Sequence, residues 1–131
     1  MKAVNYAVLT IAACAGIALF VFSARPAQAA NVTTGSCPRI SATPYVIAGT
    51  SMGGSHYIIM VANEDCAQVS SWVKKIVAQH ISGAPDETKP IDGGPGGYTC
   101  EASPDGAGHP YQGKCEKNGD KNTAFSWIMG G

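Results

Sequence analysis

Tyr98-Thr99-Cys100-Glu101-Ala102-Ser103, Tyr111-Gln112-Gly113-Lys114-Cys115-Glu116-Lys117 and Lys121–Met129 are three short runs separated by turn-forming residues. They decide the fold. Each is the length of a strand and is bounded by Gly, Pro, Asn or Asp. Asn118-Gly119 joins the last two. It is a strong two-residue hairpin signal, because both residues tolerate a positive φ. The turn sets Lys117 opposite Asp120 and Glu116 opposite Lys121, two pairs of opposite charge. Pro104–Pro110 joins the first two runs through a turn-rich loop. If Cys100 opposes Cys115, then Glu101 opposes Lys114 and Ser103 opposes Gln112. Directly opposed antiparallel residues have Cα atoms within disulfide reach.

Working outward, Asp65–Ile81 has helical periodicity. Cys66, Val69, Val73, Ile76, Val77 and His80 recur every three or four residues, with Gln68, Ser71, Lys75 and Gln79 opposite. Asn63 or Asp65 can cap its start, and Gly83 with Pro85 beyond marks its stop. Upstream, Tyr45–Ala48 and His56–Val61 read as a hairpin around the glycine-rich stretch Gly49–Ser55. Residues 83–97 hold Pro85, Pro90, Gly93, Gly94, Pro95, Gly96 and Gly97, and read as a loop. The fold class expected is α+β: one amphipathic helix packed on a small antiparallel sheet.

The 131-residue chain opens with what reads as a secretory signal, residues 1–29. Lys2 is the positive start and Ala7–Phe22 the apolar stretch. Ala27-Gln28-Ala29 is the small-x-small cleavage site. An uncleaved anchor and a lipoprotein attached at Cys14 are the alternatives. Eight apolar residues follow Cys14, unlike the polar tether of a lipoprotein. Cleavage leaves 102 residues with seven Lys/Arg, nine Asp/Glu and four cysteines, a net charge of −2. Residues 30–36 read as a flexible leader, and 37–131 as a single domain. That size excludes a multi-domain enzyme, and the acidic balance argues against a nucleic-acid binder. No second run is long enough to span a bilayer. Asn31-Val32-Thr33 is a glycosylation sequon only in a eukaryotic secretory pathway, and otherwise a polar tail.

Four cysteines in an exported domain imply two disulfides, with three possible connectivities. The strand register favours Cys100 with Cys115, leaving Cys37 for Cys66. The main rival joins Cys66 to a sheet cysteine. No zinc-type spacing is present, and His56, His80 and His109 fall in separate elements, so no metal or cofactor is expected.

Gly49-Thr50-Ser51-Met52-Gly53 matches G-x-S-x-G, with His56 five residues on. A nucleophile elbow needs a helix after the serine, whereas His56–Val61 reads as a strand. A serine hydrolase using Ser51 and His56 is therefore the disfavoured alternative. Lys89 in an inhibitor loop is blocked by Pro90. Trp127 reads as core, Trp72 as the core edge, His80 as a packed histidine near the helix C-terminus, and His109 as an exposed loop residue. Candidate interaction residues are Trp72 and His80 on the helix, and Asp86, Glu87, Lys89 and Asp92 in the Gly/Pro-rich segment.

Asp65-Cys66-Ala67-Gln68-Val69 with Val73, Gly96-Gly97-Tyr98-Thr99-Cys100, Gly113-Lys114-Cys115 and Phe125-Ser126-Trp127 form a pattern. Together they resemble small exported actinobacterial proteins in which a Cys-Ala helix precedes a Gly-aromatic-x-Cys strand and a final Cys strand. The resemblance covers Asn63–Met129, about two-thirds of the mature chain. It implies architecture and export. That family has no assigned activity, so it implies no catalytic residues. The function expected is a non-enzymatic binding or interaction module, secreted or at the cell envelope. Its partner would be a protein or envelope component. A purely structural envelope protein is a further alternative.

Overall fold

The computed structural model describes residues 32–131, so the export segment 1–29, Cys14 and Asn31 lie outside them. Three strands, β5 (Tyr98–Pro104), β6 (Pro110–Lys117) and β7 (Asp120–Met129), form an antiparallel meander. Cys100 opposes Cys115, Glu101 opposes Lys114 and Ser103 opposes Gln112, the register expected. Cys100 and Cys115 are disulfide-bonded with Cα atoms 4.1 Å apart, and Cys37 is bonded to Cys66 at 5.4 Å.

The β6–β7 turn departs from expectation one residue beyond its first pair. Lys117 opposes Asp120, but Glu116 opposes Ala124 rather than Lys121. Of the two turn residues only Gly119 takes a positive φ, 79°. Residues 121–123 form a bulge that the Asp120 carboxylate folds inward. It accepts from Thr123 Oγ1 at 2.6 Å and from the Asn122 amide at 3.0 Å. These bonds hold the Asp120 carboxyl below its usual range, with the Thr123 contact the larger cause. Pairing by charge holds only in a uniform ladder, and a bulge breaks it.

β7 continues the sheet by pairing with β3 (Gly53–Ala62). The outer edge of β3 is shared by two strands. β1 (Thr34–Ser36) pairs with residues 60–62, and β2 (Ile40–Val46) pairs with residues 53–57. The first hairpin strand lies earlier than the expected Tyr45–Ala48, ending at Val46, the second starts three residues sooner than His56, at Gly53, and the end of the expected leader is a strand. Asn63 pins it, in the left-handed region at φ 52°. Its side chain accepts from the Thr33 amide at 2.9 Å, and its own amide donates to the Thr33 carbonyl at 2.8 Å. Nor is 83–97 one loop, because β4 (Lys89–Ile91) pairs with β5 at the far edge. Pro90 fits there, since one side of an edge strand needs no amide donor. The order is β1-β3-β7-β6-β5-β4 with β2 beside β3, a seven-stranded sheet and not the small one expected.

Helix α1 (Cys66–Val77) starts where expected, with Asp65 as cap accepting from the Gln68 amide at 3.0 Å. It stops four residues short of Ile81. The β5–β6 loop captures the chain there. The Ile81 amide donates to the Gly108 carbonyl at 2.7 Å, and the His109 ring Nδ1 lies 2.9 Å from the Gln79 carbonyl. Val69, Val73, Ile76 and Val77 are fully buried against Tyr57, Ile59, Phe125 and Trp127. Gly113 admits Trp127 to this layer. A Cβ at position 113 would lie 2.6 Å from the Trp127 ring and 2.4 Å from the Glu101 carbonyl. Trp127 Nε1 donates to the Pro110 carbonyl at 2.8 Å, satisfying a buried donor.

Asp105 in the β5–β6 loop is 4% exposed. One carboxylate oxygen accepts from the Ala107 and His109 amides, at 2.8 and 2.7 Å. The other accepts from the Val46 amide at 2.8 Å, across the molecule on β2. Asp105→Ala leaves three amides without that acceptor and should cost about 3 kcal/mol or more in urea unfolding. Gly113→Ala, with both disulfides intact, should cost about 1–3 kcal/mol by crowding Trp127. An unchanged midpoint in either variant contradicts these assignments.

Candidate functional site

Strand alternation sends Tyr57, Ile59 and Val61 into the core, and Ile58 and Met60 to the other side. On β7, Phe125 and Trp127 go inward while Ser126 and Ile128 go outward. Cross-strand pairing assembles the outward set into rows. Ile58 sits opposite Ile128, Met60 opposite Ser126, and Ala62 opposite Ala124. The middle row continues through Lys114 to Glu101. Among the described residues no helix covers this face. Met60 is 47% and Ile128 45% exposed, beside half-buried Ile58, Ala124 and Ser126.

Two shallow cavities share this face. One, about 390 Å³, is bordered by Ile58, Met60, Gln112, Lys114, Ser126 and Ile128. The other, about 310 Å³, is bordered by Thr34, Met60, Ala62, Lys114, Glu116 and Ala124. Lys114 stands beside the apolar strip with its Nζ 3.3 Å from Glu116 and 3.4 Å from Glu101. Those two carboxylates, Glu116 first, raise the lysine's affinity for its proton. The trio is exposed, so it contributes little to stability and forms a polar rim to the strip. The sheet edges suit strand addition poorly. Pro44 interrupts β2 beside a register shift, and Pro90 is the central residue of β4.

The residues singled out from the sequence lie elsewhere. Trp72 is half-buried at the core edge, its ring 5.4 Å from Tyr98 and 5.6 Å from Phe125. It borders a depression with Lys75 and residues 93–96. His80, Lys89 and Asp92 surround another depression of about 300 Å³. His80 is not the packed helical histidine expected. It lies beyond the helix end and is exposed, its ring 6.2 Å from that of His109. His109 in turn is half-buried and bonded to the helix end rather than exposed. Asp86 (φ 66°) accepts a hydrogen bond from the Tyr111 hydroxyl, and Glu87 is exposed beside it. Ser51 is exposed in the loop between β2 and β3, and His56 is exposed on β3, the strand that follows. Among the described residues no group of three or more His, Cys, Asp or Glu is placed to hold a metal ion.

The open face was missed although its signal was present. Tyr57–Val61 is apolar at every position, not only at alternate ones, which marks a strand with an apolar outer row as well as an inner one. Asp105 had no such signal, because a turn aspartate is ordinary until its distant partner is known. No protein-family model, curated protein or solved structure matches the chain.

Two phenols tie peripheral segments to the sheet. The Tyr98 hydroxyl donates to Glu64, next to the helix cap, and the Tyr111 hydroxyl donates to Asp86. Burial first, and then these carboxylates, push both phenols up to about 12. Each raised value belongs to the folded state. The stability it adds is therefore complete below the ordinary phenol value of about 10 and is lost as the pH rises through about 12. Alkaline unfolding should fall in that window and flatten in a Tyr98→Phe/Tyr111→Phe variant, as followed by near-UV circular dichroism.

Proposed function

We propose that the protein is an exported, disulfide-stabilised, non-enzymatic binding module that meets a protein or envelope partner through the open face of its sheet. One observation carries the reading: the apolar strip of Ile58, Met60 and Ile128, uncovered and bordered by the Lys114, Glu101 and Glu116 rim. Isolated exposed apolar residues are common, whereas contiguous rows bordered by charge recur at interaction surfaces. Two disulfides are consistent with an extracytoplasmic protein. The signal-like residues 1–29 and the resemblance to small exported actinobacterial proteins favour the same location.

Met60→Lys/Ile128→Lys changes the face and leaves the helix-side core untouched. The mature domain, residues 30–131, is immobilised and challenged with envelope and culture extracts of the producing cell. A partner retained by the wild-type domain and lost with the double variant, at unchanged thermal stability, is the expected result. A partner that binds both equally, or binds only through residues 83–97, overturns the face as the site. No retained partner at all counts against the binding module. Stoichiometric labelling by a fluorophosphonate, abolished by Ser51→Ala, would overturn the non-enzymatic reading.

A further inference from the structure

The tip of the β6–β7 hairpin is exposed and carries Asn118 followed by Gly119. We propose that Asn118 is a site of spontaneous deamidation, and that this modification uncovers the Cys100–Cys115 disulfide. Three observations support the chemistry. Gly119 stands in open space: a Cβ there would meet nothing within 4 Å, so the residue after Asn118 carries no bulk and has none packed on its Cα. Its φ of 79° keeps this position favourable to glycine. Thr99 Oγ1 donates to Asn118 Oδ1 at 2.6 Å, which draws electron density from the side-chain carbonyl carbon.

The step needs only water. Hydroxide removes the Gly119 amide proton, and the nitrogen forms a bond to Asn118 Cγ. The bond from Cγ to the side-chain nitrogen breaks, and that nitrogen leaves as ammonia with a proton taken from water. The resulting five-membered succinimide adds water at either carbonyl and opens. The product is aspartate, or isoaspartate with the main chain routed through the former side chain. Nothing is oxidised or reduced.

The turn is connected to the disulfide. The Asn118 amide donates to the Gly97 carbonyl at 2.8 Å, holding the end of the 93–97 segment. Gly94 in that segment lies directly on the disulfide, where a Cβ would fall 2.3 Å from Cys100 Sγ. Cys100 is 4% exposed and Cys115 fully buried. Isoaspartate adds one atom to the main chain of a two-residue turn. The Lys117–Asp120 pairing and the Asn118–Gly97 bond then no longer fit together, and the cover over the sulfurs loosens. A deamidated molecule should lose its disulfide to an external thiol faster than a fresh one.

The test ages the mature domain at mildly alkaline pH and maps its peptides by mass, with isoaspartyl methyltransferase as a second label. Asn118 should convert to acid with an isoaspartyl fraction, while Asn63 and Asn122 stay as amides. Thr99→Val should slow the conversion several-fold at unchanged circular dichroism. Aged protein should be reduced by dithiothreitol several-fold faster at Cys100–Cys115 than fresh protein. The site is overturned if Asn118 stays intact after a synthetic Lys117–Lys121 peptide has fully converted. Equal reduction rates for aged and fresh protein overturn the link to the disulfide. Asn118 borders neither cavity of the open face, and the peptide maps and reduction rates read no partner, so failure here leaves the binding reading standing and loss of a partner with Met60→Lys/Ile128→Lys leaves this one standing.

Discussion

A single twelve-residue helix can cover only one face of a seven-stranded sheet. That limit shapes the molecule. Val69, Val73, Ile76 and Val77 close the layer over Tyr57, Ile59, Phe125 and Trp127, where the hydrophobic core sits. Among the described residues no second helix lies over the opposite face. Most of its positions answer with Ser126, Lys114, Glu101, Glu116 and Gln112. Ile58, Met60 and Ile128 do not, which is why this face and not a loop is the candidate site.

With so thin a core, the long-range ties matter more than in a larger domain. The Cys37–Cys66 disulfide joins the gap between β1 and β2 to the first residue of the helix. The Cys100–Cys115 bond clamps neighbouring strands beneath the 93–97 segment. In the chain-entropy account each contributes about 2–4 kcal/mol by restricting the unfolded chain. Asp105 does comparable work in the folded state. It holds its own loop closed and, through the Val46 amide, fastens that loop to the opposite end of the sheet. The same loop ends the helix by binding residues 79 and 81. One turn-rich segment therefore sets both the length of α1 and the placement of β2.

Much of this was legible in the sequence. Short-range rules carried the β5–β6 register and with it the Cys100–Cys115 bond, which left Cys37 for Cys66 by elimination. They also carried the helix start at the Asp65 cap and the burial of Trp127. The misreadings share one cause. Residues 34–36 and 89–91 are too short and too polar or proline-bearing to read as strands, and become strands only because β3 and β5 offer them edges. His80 continues the helical periodicity of the sequence, but the helix ends first because Gly108 and His109 bind its last residues. Charge matches Lys121 to Glu116, but Asp120 finds nearer donors in Asn122 and Thr123, and the strand bulges there.

The sequence alone therefore determined the parts whose physics is local: turn chemistry, helix periodicity and capping, and the pairing that two cysteines permit on adjacent strands. The tertiary structure decided what depends on residues brought together from afar. It settled which short segments complete the sheet, where the helix stops, what Asp105 bonds, and which side of the sheet stays bare. Hydrogen-bonding groups take whichever partner folding places nearest, and an apolar row is core or surface only according to what lies over it.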